Sequence, residues 1–247
     1  MKRIRQGIFS FWKRQKMGWK IVVIRAIFNR FFTRMTFDYG NIYIRALGAT
    51  PLQLGILNSV THLTSTILAS PLGWIQDRYS LKKFFIISIG LFSFVPLIYA
   101  LARIWIWIIP AMFLTVFSWP CPTICDVSLE KKDRATGKAL CEVVGSIPAL
   151  LAPTIAAFLI SVLGGLNVKG IRPLYWIQFT GQLLIFMFVF VKLTEVERPI
   201  IRTGANFIED FQEVFLRGIA TKRWIIFSTL GMFIMSLTSP FRAPLCS

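Results

Sequence analysis

Residues 84–102 and 174–191 of this 247-residue chain contain no charged side chain. A helix rises about 1.5 Å per residue, so each run is long enough to cross a hydrocarbon layer of about 30 Å. Backbone in lipid must satisfy its own hydrogen bonds, and a helix does so within one segment. These two runs therefore direct the chain toward a helical membrane fold. The rest of the sequence agrees: 55% of residues are hydrophobic and 16% charged, against about 25% charged in an ordinary soluble domain. Mean hydropathy is +0.64.

Spans are expected near 20–46, 52–74, 84–102, 104–125, 141–163, 174–192 and 224–240. Trp19, Tyr43, Trp74, Tyr79, Tyr99, Trp105, Tyr175, Trp176 and Trp224 stand near their ends, as aromatic side chains do at lipid–water boundaries. The predicted fold class is all-α: a polytopic membrane protein with the lipid bilayer as its first partner.

The net charge of +17 would point to nucleic acid in a soluble chain. Here the Lys and Arg residues lie mainly between the apolar runs, and nucleic acid is not an expected partner. Twenty basic residues fall on the side of the N-terminus and five on the other. By the positive-inside rule the N-terminus is cytoplasmic, in a multi-pass protein of the cell membrane. The basic start leads into Trp12, Lys13, Arg14 and Lys16 instead of an apolar signal core, so the first span is expected to serve as anchor.

That first span contains Arg25, Arg30, Arg34 and Asp38. Four such residues at mid-membrane cost about 10 kcal/mol on the insertion scale, more than the surrounding apolar side chains return. It is expected to span with help from its neighbours. At 100° per residue, Arg30, Arg34, Asp38, Asn41 and Arg45 share one side, and Ile24, Phe28, Phe31, Phe32 and Met35 the other. The charged stripe can face a wet cavity, with Arg34 and Asp38 spaced i, i+4 to pair. Arg25 is expected to snorkel toward the inner surface. In the second span, Asn58, His62 and Ser65 share a face. His62, the only histidine, could titrate near neutral pH, but hydrogen-bonded packing is its expected role. The candidate substrate or ion site is thus Arg30, Arg34, Asp38, Asn41, Asn58 and His62.

Between the second and third spans the chain reads Gly73-Trp-Ile-Gln-Asp77-Arg78-Tyr-Ser-Leu-Lys82-Lys83. This resembles the loop signature of the major facilitator superfamily (MFS), Gly-x-Leu-x-Asp-Arg-x-Gly-Arg-Arg/Lys. Ile75, Ser80 and Leu81 depart from it, whereas Gly73, Asp77, Arg78 and Lys82 are retained. The turn from Ala46 to Gly55, and the segment of Asp126, Arg134, Gly137, Gly145, Pro148 and Pro153, resemble further parts of that superfamily. Ala152-Pro153 differs from the Gly-Pro of its antiporter branches.

The resemblance implies a first six-helix bundle of a transporter working by alternating access. It also implies a cytoplasmic latch made by Gly73, Asp77, Arg78, Lys82 and Lys83, with Asp126 or Arg134 as local partners. A small residue at Gly73 would let two helices approach closely. The expected organisation is a basic N-terminus (1–19), a six-helix bundle (20–192) and a cytoplasmic linker (193–223). In the linker Phe207, Ile208, Phe211, Val214, Phe215 and Ile219 form an amphipathic pattern. A seventh span (224–247) would open a second bundle that is cut short.

Two functional expectations follow. One is a secondary transporter of a small-molecule solute, with proton-coupled efflux as one form. The other is a truncated or frameshifted fragment, or a half that needs a missing C-terminal half or a second copy. An enzyme is not expected, since phosphate loops, His-Glu-x-x-His and nucleophile elbows are absent from the sequence. Neither is a cofactor or metal: Cys121, Cys125, Cys141 and Cys246 contain no Cys-x-x-Cys pair.

Overall fold

The computed structural model describes residues 11–118, 128–193, 222–223 and 226–231. Among them every regular element is a helix. The chain divides into two compact units, Met1–Ile200 and Ile201–Ser247. In the second unit, residues 226–231 are helical with Ile226, Phe227 and Leu230 exposed. The linker helix expected at 207–219 and most of the expected seventh span lie outside the described residues, as does Asp126.

The first unit contains α1 (Met17–Phe37), α2 (Gly40–Ala46), α3 (Pro51–Arg78), α4 (Leu81–Leu101), α5 (Ile109–Leu114), α6 (Arg134–Leu163) and α7 (Val168–Lys192). Short 3₁₀ turns flank α5 at Trp105–Ile108 and Thr115–Ser118, and another, Lys131–Asp133, precedes α6. Local chemistry sets several ends. Thr50 and Gln53 form a reciprocal capping box before α3, with Pro51 opening the helix. Ser80, which stands where the loop signature has glycine, caps α4 by accepting from the Lys83 amide. Gly164, with φ +118°, ends α6 in the left-handed region. Asn167 then starts α7 by accepting from the Gly170 amide at 2.9 Å.

Helices α6 and α7 begin at Arg134 and Val168, ahead of the spans expected from 141 and 174. Apolar runs mark where lipid starts, but the hydrogen-bond ladder continues until a cap stops it. The first span differs more. It is two helices, not one, because the Tyr39 amide bonds back to the Thr36 carbonyl (3.1 Å) before the ladder resumes at Tyr43 to Tyr39 (2.9 Å). This is a 3₁₀ tightening at mid-span. The fourth span likewise alternates 3₁₀ and α turns as far as Ser118.

Three described helices are long and apolar enough to cross a membrane by themselves: Leu81–Leu101, the helical run Lys131–Leu163, and Val168–Lys192. Helix α1 carries three arginines and α3 a row of Ser, Thr, Asn and His, so neither is among them. Helix α1 packs on α6 and α7, α4 on α7 and α5, and α3 chiefly on α5. The apolar core falls into two clusters. One gathers Trp19, Val22, Leu81, Phe85, Ile89, Ile185 and Val189. The other gathers Met35, Tyr43, Ile44, Tyr99, Ile108, Leu174 and Tyr175.

Candidate functional site

Between the two clusters, along the second half of α1 and at the middle of α7, polar side chains replace apolar ones. Asn29, Thr33 and Thr36 follow one another at helical spacing on α1 and meet Gln178 and Gln182 on α7. Thr36 Oγ1 donates to Gln178 Oε1 at 2.8 Å. Gln182 Nε2 donates to Asn29 Oδ1 at 2.8 Å and reaches Thr33 Oγ1 at 3.5 Å. Gln178 and Gln182 are buried. Polar pairs of this kind join helices where burying apolar surface against apolar lipid gains nothing. Nothing in the span assignment anticipates this contact, though two glutamines four residues apart in an apolar run were its visible signal.

A second polar face of α1 turns toward α6. Arg30 Nη1 donates to the Glu142 carbonyl at 3.0 Å and to Ser146 Oγ at 3.3 Å. Its Nη2 lies 2.5 Å from the Glu142 carboxylate. The Arg30 side chain is 30% exposed and that of Glu142 69%. The two helices come this close because Gly145 lacks a side chain, and a Cβ there would stand 3.0 Å from Arg30 Cδ. Glu142 is the one acidic residue of α6 and was not singled out from the sequence.

Further along α1, Arg34 and Asp38 are both 49% exposed and lie 3.9 Å apart. Arg34 also sits 5.1 Å over the Phe37 ring. Asn41 is half-buried on α2 and Arg45 exposed at its end. Asn58 is half-buried on α3. His62 is exposed on α3, so the expected hydrogen-bonded packing is not found there. Arg30 and Glu142 meet, and Arg34 and Asp38 meet. No described contact brings Asn41, Asn58 or His62 to either pair.

Two expectations about α1 and α3 are corrected. Arg25 does not snorkel: it is 3% exposed, with its guanidinium 4.9 Å from the Phe85 ring centroid. The ring's negative face and the apolar stem hold the cation inside the bundle. Met35, expected on the side opposite the charges, is 2% exposed and belongs to the Tyr43 cluster. Gly73 has open space where a Cβ would stand, so among the described residues it marks no close helix approach.

The loop signature lies at the turn between α3 and α4. Asp77 and Arg78 occupy the last helical turn of α3, and the Arg78 guanidinium stacks 4.3 Å from the Trp74 ring. Lys82 is half-buried and Lys83 exposed in the first turn of α4. Arg134 is exposed at the start of α6. The buried acid at that end is Asp133, with 11% of its side chain exposed. Arg14 Nη2 donates to both of its oxygens at 2.9 Å, and Gln15 Nε2 donates to Oδ2 at 2.9 Å. The Gln15 hydrogen bond and the Arg14 charge hold the Asp133 carboxyl below its ordinary value of 3.8. Trp12 and Phe11 pack edge-on against Trp19 beside this clasp.

Comparison with known proteins places the architecture. A search of curated proteins returned no match. Among solved structures, the fold resembles the crystal structure of a mutant peptide transporter, POT, in complex with sulfate, with a TM-score of 0.53 at 15% identity. The similarity covers 86% of this chain and 46% of that one, so the chain spans just under half of that protein. The sequence model of the Major Facilitator Superfamily matches residues 23–245. With helices apolar enough for membrane spans and this match over most of its length, the chain belongs to the Major Facilitator Superfamily.

Proposed function

We propose that this chain is the first bundle of a secondary transporter that moves a small solute by alternating access, with its site on the face that α1 and α6 share. The carrying observation is the charged pair Arg30–Glu142, which joins α1 to α6 in a bundle whose α4, α6 and α7 are apolar. Charges within a membrane bundle are costly, and substrate and ion sites of transporters lie near the midplane. Arg34, Asp38 and Asn41 continue the face toward α2, and Asn58 and His62 border it from α3.

In this reading the protein sits in the cell membrane with its N-terminus cytoplasmic. A basic start of 1–19, a bundle of 20–192, a cytoplasmic linker of 193–223 and a further span from 224 divide the chain. Gly73, Asp77, Arg78, Lys82, Lys83, Asp126 and Arg134 form the cytoplasmic latch. The charged face needs a second bundle to enclose it, supplied by further chain or by a second copy.

The test is solute flux into vesicles reconstituted with the protein, scanned over anionic, zwitterionic and neutral solutes with and without a pH gradient. Saturable flux that Arg30→Gln abolishes supports the reading. A chain that binds solutes yet moves none, alone or as a dimer, favours the second reading: a half that acts only with a partner.

A further inference from the structure

Asp133 is the one buried acid among the described residues, and its oxygens are taken up by Arg14 and Gln15, more than a hundred positions earlier. The contact lays one basic run against another. Lys13, Arg14 and Lys16 are exposed on the N-terminal segment, and Lys131, Lys132 and Arg134 on the turn that opens α6. The other acid of that turn, Glu130, is paired with Lys132 at 3.0 Å. Both acids are occupied, and the bases still outnumber them. Arg14 is bonded to Asp133 through Nη2 and remains 59% exposed. A guanidinium has five donors in a fixed fork, so Arg14 can serve the carboxylate and a second oxyanion together.

From this juxtaposition we infer that the two runs form one binding surface for the headgroups of anionic phospholipids. The apolar neighbours favour a lipid over a soluble anion. Phe11 and Trp12 are half-buried beside the patch, edge-on to Trp19. Met17, the first residue of α1, is 62% exposed. From this end α6 runs on as a helix apolar enough to cross a membrane. A headgroup phosphate placed on the bases therefore leaves its glycerol and upper acyl chains against Trp12 and Met17, the arrangement that interfacial aromatic and basic side chains favour. Phosphatidylcholine carries the same phosphate together with its own cation, which the patch repels, so the surface selects lipids of net negative charge.

Asp133 gives the inference a distinctive consequence. If charge alone governed attraction, removing this carboxylate would strengthen the hold on anionic lipid. In the assembled surface it does the opposite, because Asp133 is what keeps the run at Arg14 beside the run at Arg134. Glu130 holds no second segment, and its removal only adds to the positive field.

The experiment places the whole chain in nanodiscs of phosphatidylcholine and phosphatidylglycerol, one or the other brominated near the glycerol end of its acyl chains. Quenching of Trp12 is isolated by difference against Trp12→Phe. Phosphatidylglycerol should quench more strongly at equal mole fraction, with a preference that shrinks as salt rises. Lys131→Gln should lower the preference about fivefold at low salt, as a basic residue near an anionic surface contributes. Asp133→Asn should lower it too, whereas Glu130→Gln should raise it. Native mass spectrometry of the wild-type chain, which needs no variant to fold, should show phosphatidylglycerol retained over phosphatidylcholine. Equal quenching by the two lipids overturns the inference, and so does a preference that Lys131→Gln leaves unchanged or that Asp133→Asn strengthens. Displacement of phosphatidylglycerol by an equal concentration of inorganic phosphate overturns it as well, since the site would then be one for a free anion. The transporter reading is tested apart from this: lipid preference without solute flux leaves the inference standing, and flux without lipid preference overturns the inference alone.

Discussion

Arg30 on α1 and Glu142 on α6 meet 2.5 Å apart, directly above a glycine. The contact joins two helices separated by more than a hundred residues of sequence and lies level with the hydrogen bonds that tie α1 to α7.

The glycines at this level should differ in what they tolerate. A Cβ on Gly181 would stand 2.5 Å from the Phe32 ring, which is packed between the two apolar clusters, whereas on Gly145 it would meet only the flexible Arg30 side chain at 3.0 Å. Gly181→Ala is expected to destabilise the protein by about 1–3 kcal/mol through overpacking. Gly145→Ala should cost less than half as much. Unfolding midpoints of the two variants in the same detergent decide the order.

The α1–α7 hydrogen bonds predict a coupled pair. Gln178→Leu and Thr36→Val each remove one partner of a buried 2.8 Å bond and should each cost about 1–2 kcal/mol. The double variant should cost less than the sum, by about 0.6 kcal/mol, as in other membrane helix pairs. Additive losses in a double-mutant cycle would show that the contact carries no energy of its own.

At the basic end of the bundle, Asp133→Asn should release the segment around Arg14 and Gln15. Trypsin at neutral pH should then cut at Lys13, Arg14 and Lys16 several times faster than in the wild type. The pH dependence has a definite sign. The Asp133 carboxyl is held below its ordinary 3.8 in the folded protein. Its contribution is therefore fully present above the unfolded value and lost as pH falls through the lower, folded one. Fluorescence of Trp12, isolated by difference against Trp12→Phe, should stay constant from neutral pH down to that range and change as pH falls through it.

Sequence alone reveals the elements that stand out against a lipid background. The uncharged runs of α4 and α7 and the exposed Arg34–Asp38 pair are readable because local spacing determines them. What escaped depends on which helix is the neighbour. Glu142 is a lone acid until α1 brings Arg30 to it, and Gln182 is a lone amide until Asn29 faces it. Arg25 was assigned to the surface because snorkelling is the local solution for one helix, whereas packing of Phe85 over it is a tertiary one. The break at Asp38–Tyr39 carries no proline, and Gly40 only follows it, so hydropathy ran straight through.

The most direct test of the account is whether water reaches the face that α1 and α6 share. In a background with the four native cysteines replaced, single cysteines at Arg34, Glu142 and Ser146 are compared with single cysteines at Leu151, Phe158 and Phe190, exposed apolar positions of α6 and α7 away from that face. Each is treated in native membranes with a membrane-impermeant thiol reagent. The account predicts modification of the first three, from either side of the membrane, and protection of the last three. Protection at Arg34, Glu142 and Ser146 from both sides would contradict it, leaving the charged pairs as structural clamps in a sealed bundle.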